Sequence, residues 1–123
     1  MSLRHRHLSL LPAIICWLVI TVLSVTGKVN TPRFSLIGAD KIGHAIAYFS
    51  WTFLILWGLA KKPGFNLNLR SIVLVFLFTS AYGTLMEWVQ LVFCPGRFFE
   101  YDDMLANAIG ALLASMIAVR VLR

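Results

Sequence analysis

Four long apolar runs separated by short polar connections make up most of the chain. Residues 8–26 carry no ionisable side chain but Cys16, 104–119 carry none, 42–60 hold His44 and no acid, lysine or arginine, and 71–93 hold only Glu87 among charged residues; Leu122 extends the last run past Arg120. At about 1.5 Å of rise per residue, each run reaches roughly 25–35 Å, one hydrocarbon core. Backbone in lipid finds no water to bond, so only helices and closed barrels cross it. Barrel strands would be about ten residues long with period-two alternation, and these runs lack both features. The expected fold is therefore an all-α membrane protein, four transmembrane helices packed as a small bundle, spanning about 8–26, 42–60, 71–93 and 103–122 in a single domain over 1–123.

The connections support this division. Residues 27–41 hold Asn30-Thr31-Pro32 and Gly38, 61–70 hold Pro63-Gly64, and 94–103 hold Pro95-Gly96, all of them turn-forming combinations. Arg4, His5, Arg6 and His7 ahead of the first run resemble the start of a signal peptide. That run exceeds the usual 7–15-residue apolar core, so it is expected to stay as a helix. Pro12 falls in its first turns, where a missing N–H is tolerated.

Composition narrows the class. Charged residues are 13% of the chain and hydrophobic ones 59%, against about 25% and 45–50% in soluble domains. A soluble domain, a disordered tail and a disulfide scaffold are excluded. Cys16 and Cys94 sit in or beside apolar runs as isolated thiols. The net charge of +6 comes from basic residues standing singly or in pairs, not in a stripe that would track nucleic acid. No nucleic-acid partner is expected, and membrane lipids are the expected surroundings.

Basic residues also orient the chain, because cytoplasmic connections are enriched in them. Arg4, Arg6, Lys61, Lys62, Arg70, Arg120 and Arg123 fall on one side, against Lys28, Arg33, Lys41 and Arg97 on the other. Both termini are expected in the cytoplasm, with the first and third connections outside. The unusual polar residues then gather at the outer end. Asp40, Lys41 and His44 open the second helix, Glu87 and Gln90 lie near the end of the third, and Arg97, Glu100, Asp102 and Asp103 precede Asn107 in the fourth. Asp40, His44 and Tyr48 share one helical face, as do Gly83 and Glu87, and Asp103 and Asn107. Ala106, Gly110 and Ala114 form a row of small residues that lets helices approach closely in lipid.

These placements define a candidate polar pocket of Asp40, Lys41, His44, Glu87, Gln90, Arg97, Asp103 and Asn107, with Gly83, Ala106, Gly110 and Ala114 as packing positions. An acid within a span is costly unless it faces the bundle interior. Glu87 is expected to do so, paired with His44, Lys41 or Arg97, or protonated, as a functional group or as a structural lock. Asp40 and Asp102 or Asp103 stand where helix caps occur. Arg97 suits a lipid phosphate. His44 is expected to serve as a hydrogen-bonding partner. His44, Glu87 and Asp103 are in principle able to bind a metal, but no spaced ligand pair of the H-E-x-x-H kind occurs, so neither metal nor cofactor is expected. Trp17, Trp51, Trp57 and Trp88 suit lipid-facing or interfacial positions.

The segments Asp40-Lys41-x-x-His44-x-x-x-Tyr48, Gly83-x-x-x-Glu87-x-x-Gln90, Arg97-x5-Asp103 and Asp103-x3-Asn107-x2-Gly110 occur in this order. Together they resemble the VanZ-like family of bacterial membrane proteins over about residues 38–115. The family takes its name from a protein accompanying glycopeptide-resistance genes that gives low-level teicoplanin resistance. The resemblance implies a helical inner-membrane protein acting in or near the cell envelope, without supplying a reaction. Ala114 departs from a second glycine found in many members, and is still small.

Three functions fit. The first is a non-enzymatic protein whose outer pocket holds an envelope lipid, a glycan-carrier head group or a glycopeptide, with Lys41 and Arg97 on phosphates and Glu87, Gln90 and Asn107 on sugar or amide groups. The second is an intramembrane enzyme in which His44 and Glu87 share proton transfer and Asp103 attacks or orients. The third is proton-coupled transport, which four helices without a repeat serve poorly unless the chain forms a homo-oligomer.

Overall fold

In the computed structural model, which describes residues 8–26, 37–96 and 98–123 and the side chains of the second helix from Lys41 onward, the apolar runs form four helices. They are α1 (Leu11–Thr26), α2 (Ile37–Ala60), α3 (Leu69–Phe93) and α4 (Tyr101–Val121), with no strand among the described residues. Helices α2, α3 and α4 are long and apolar enough to cross a membrane, whereas α1 is a shorter apolar helix of 16 residues. A turn over residues 8–10 leads into it, with the Leu11 N–H donating to Leu8 O at 3.1 Å. Arg4, Arg6 and the connection over 27–36 lie outside the described residues.

Helix starts differ most from the apolar pattern, because a helix can begin in polar sequence. Helix α2 starts at Ile37, before its apolar run, so Asp40 lies within its first turn rather than ahead of it. The N-cap of α4 is Glu100, with no side-chain capping bond, and Asp102 and Asp103 occupy the first turn. There the carboxylates favour the positive end of the helix dipole. Helix α3 has a side-chain cap: Asn68 accepts the Ser71 N–H at 2.9 Å. The turns before α3 and α4 place Gly64 and Gly96 at φ +76° and +79°, a left-handed conformation open mainly to glycine.

Contacts between residues distant in sequence define the bundle. Helices α2 and α4 run parallel, with Lys41 beside Asp103, His44 beside Asn107 and Leu56 packed with Ala118. Helix α3 runs against both. Ala106, Gly110, Ala111, Ala114 and Ala118 are buried, and a Cβ on Gly110 would collide with the Ala45 carbonyl oxygen. Backbones that close require small side chains, and in lipid such packing replaces the hydrophobic drive. Leu23, Leu74, Phe78, Leu105 and Met116 point outward instead, as suits an apolar solvent.

Aromatic rings tie α1 to this assembly. Trp51 is 3% exposed and lies 5.9 Å from Tyr48, 5.7 Å from Phe78 and 5.1 Å from Tyr82 between ring centroids. It is a core residue, contrary to the interfacial expectation, because its ring fills the space between α2 and α3. Trp17 is half-buried against Tyr82, while Trp88 is exposed. Two hydroxyl pairs add interhelical bonds: Thr21 with Tyr82 at 2.6 Å, and Thr52 donating to Thr79 at 3.0 Å.

Candidate functional site

The parallel register of α2 and α4 brings two polar faces together at their N-terminal ends. Lys41 Nζ donates to Asp103 Oδ1 at 2.6 Å and to Glu100 Oε2 at 2.9 Å. One turn along, His44 Nδ1 donates to Asn107 Oδ1 at 3.1 Å, and its Nε2 lies 3.4 Å from Asp103 Oδ2. Asp103 and Asn107, four residues apart, thus meet Lys41 and His44, three apart. Both pairs project from the facing sides of their helices.

Helix α3 closes the third side. Glu87 is 2% exposed, and the Glu100 backbone N–H donates to its Oε2 at 3.3 Å. One turn earlier, Gly83 leaves room for Asn107 and Tyr48. A Cβ there would stand 2.8 Å from Asn107 Nδ2 and 3.2 Å from Tyr48 Cε1. His44, Glu87 and Asp103 each offer a ligand atom within 4.8 Å of the others.

The cluster opens toward the helix ends. Side-chain exposure falls from 49% at Glu100 through 26% at Lys41 and 22% at His44 to 6% at Asp103. Among the described residues, Lys41 pairs with two carboxylates, Glu100 and Asp103. The Lys41 ammonium holds the Glu100 carboxyl below the ordinary carboxylate range. Both of these Lys41 bonds go to carboxylates.

Not every sequence-derived residue joins this cluster. Gln90 is buried, but its Nε2 donates to Ser24 O at 2.8 Å, so it joins α3 to α1. Ala106, Gly110 and Ala114 are buried on α4. Arg97 and the Asp40 side chain lie outside the described residues. Two members went unselected from sequence. Glu100 stands three residues before Asp103, where its N–H and its carboxylate reach different partners. Tyr48, four residues after His44, is 2% exposed beneath the cluster; that spacing was its signal.

Comparison with known proteins adds one relationship. The family model described as VanZ/LLP1 matches residues 8–123. No curated protein and no solved structure matches the chain.

Proposed function

The chain belongs to the VanZ/LLP1 family and has helices fit to cross a membrane; from that premise we propose that it serves the bacterial cell envelope by binding an amphipathic ligand at its polar cluster. The ligand is the head group of an envelope lipid, a glycan carrier or a glycopeptide. The observation that supports this is the convergence of Lys41, His44, Glu87, Asp103 and Asn107 at one open bundle end, above helix faces of exposed apolar side chains. A polar head fits the cluster while an acyl chain follows the helices. Carboxylates only accept hydrogen bonds when ionised, so the ligand presents donors: sugar hydroxyls, amide N–H groups or an ammonium. The basic-residue asymmetry turns this end outward from the cytoplasmic membrane, both termini inside.

Photo-crosslinking in nanodiscs tests the reading. A diazirine analogue of a lipid-linked amino-sugar carrier should label the native protein, and Asp103→Asn should reduce labelling. A hydrogen bond to a charged group contributes about 1.5–3 kcal/mol, roughly 10–100-fold in affinity. Equal labelling of native protein and variant would refute the proposal. In cells, deletion should alter teicoplanin susceptibility if the bound ligand is a glycopeptide or its target. The alternative, an intramembrane enzyme, is favoured by the closeness of His44, Glu87 and Asp103. Glu87→Gln keeps shape but takes up no proton, so lost turnover of the analogue with unchanged labelling identifies catalysis.

A further inference from the structure

We propose that His44, Glu87 and Asp103 bind one divalent metal ion of the zinc class, joining α2, α3 and α4 at the open end of the bundle. The imidazole carries the first argument. A carbonyl oxygen only accepts, so the 3.1 Å contact with Asn107 Oδ1 puts the hydrogen of neutral His44 on Nδ1. Its Nε2 then bears a lone pair, and at 3.4 Å it faces a carboxylate oxygen, Asp103 Oδ2. In that tautomer a metal ion between Nε2 and Oδ2 is bound by both atoms, whereas in the protonated imidazole a proton lies there instead.

Distances favour the metal. Zinc bonds to imidazole nitrogen and carboxylate oxygen measure about 2.0–2.2 Å, so ligand atoms in a tetrahedral site stand roughly 3.3–3.5 Å apart. The Nε2–Oδ2 separation of 3.4 Å is such an edge. Glu87 completes the set with its ligand atom within 4.8 Å of both others, so binding requires its carboxylate to move toward them.

Each ligand is also held from behind by a different group. Asn107 accepts from His44 Nδ1, Lys41 donates to the other oxygen of Asp103, and the Glu100 N–H donates to Glu87. Outer-shell partners of this kind fix the tautomer and aim of metal ligands. Charge agrees as well: Glu87 and Asp103, ionised on binding, carry the two negative charges that a divalent ion neutralises. Magnesium and calcium prefer oxygen ligands throughout, whereas one imidazole with two carboxylates suits a first-row transition ion or zinc. Three protein ligands leave a coordination position for water or a ligand atom.

This inference goes beyond head-group binding and stands apart from it, since metal uptake is measured with no envelope ligand present. The full chain, carrying His5→Gln and His7→Gln and no histidine tag, is purified in detergent, stripped with chelator and titrated with Zn2+ and Co2+. The expected result is one ion per chain, with Glu87→Gln and Asp103→Asn each weakening binding at least tenfold. His44→Cys keeps the site while exchanging nitrogen for sulfur. It should still bind one Co2+ and gain an intense near-ultraviolet sulfur-to-cobalt charge-transfer band, a signal that a misfolded variant does not produce. The proposal is overturned if the native protein takes up no more metal than the combined His44→Ala, Glu87→Gln, Asp103→Asn variant. It is equally overturned if His44→Cys binds Co2+ without the new band, and a proton then bridges His44 and Asp103.

Discussion

Asp103 serves two partners with its two oxygens, Lys41 at 2.6 Å and His44 at 3.4 Å, and from this position 6% of its side chain reaches the surface. Glu100 shares the same lysine but is half exposed. Solvent therefore screens its ion pair, whose contribution falls in the about 0.2–1 kcal/mol range of surface pairs. Its carboxyl is depressed from an ordinary value of 4.5 by the Lys41 ammonium. A carboxyl with a lowered folded-state pKa stabilises the fold fully above its unfolded value, and that contribution is lost as pH falls through the folded one. Thermal unfolding in detergent should accordingly become easier as pH drops below about 4.5, and Glu100→Gln should flatten that limb of the profile. An identical acid limb in the variant would show that Glu100 takes no part. At this scale sequence was partly sufficient. Lys41, His44, Glu87 and Asp103 stand out as polar residues at helix ends, but their pairing depends on side-chain reach across helices.

Glycine positions separate the packing requirements of the helices. At Gly110 an added Cβ meets the backbone carbonyl of Ala45 and stands 3.0 Å from its Cα, and backbone in a helix cannot yield. At Gly83 it meets side-chain rather than backbone atoms, Asn107 Nδ2 at 2.8 Å and Cβ at 3.0 Å and Tyr48 Cε1 at 3.2 Å. At Gly43 nothing lies within 4 Å. Overpacking typically costs about 1–3 kcal/mol, so Gly110→Ala should destabilise most. Gly83→Ala should do so less, while Gly43→Ala should be neutral or stabilising by up to about 1 kcal/mol as a better helix former. Unfolding in a denaturing-detergent titration reads the order directly, and equal effects at the three sites would contradict the close α2–α4 approach. The small-residue row over Ala106, Gly110 and Ala114 was legible as a packing face. Its partner was not, since periodicity names the face of a helix and says nothing of what lies opposite. Helix starts were missed for a related reason: hydropathy marks where lipid begins, and the backbone of α2 becomes helical before that point.

For the molecule as a whole, the connection between α3 and α4 and the open end of the cluster lie on the same side, since α2 and α4 begin there. Cys94 stands in that connection, its Sγ 3.8 Å from Val25 O. If both termini are cytoplasmic, as the basic-residue asymmetry predicts, an impermeant maleimide applied to spheroplasts should label Cys94, and a Cys94→Ser variant should lose the signal. Labelling only after lysis would invert the orientation and turn the polar cluster toward the cytoplasm. The shorter reach of α1 matters here too. Its 16 residues cover about 24 Å, less than the roughly 30 Å hydrocarbon core, and its hold on the bundle comes from Trp17, Thr21 and the Gln90–Ser24 bond.

What the amino-acid order determines unaided is the helical membrane class, the four elements and the gathering of polar residues near one end. These follow from local properties: apolar runs of membrane length, backbone that must bond to itself in lipid, and turn residues between them. Tertiary structure alone decided which polar groups meet. It placed Trp51 in the core, sent Gln90 to α1, turned Lys41 onto Asp103 and Glu100, and set His44 Nε2 against a carboxylate oxygen. Those outcomes depend on the parallel register of α2 and α4, which is set where small residues let two backbones touch. Contacts across helices arise from that docking, and no spacing within a single helix contains it.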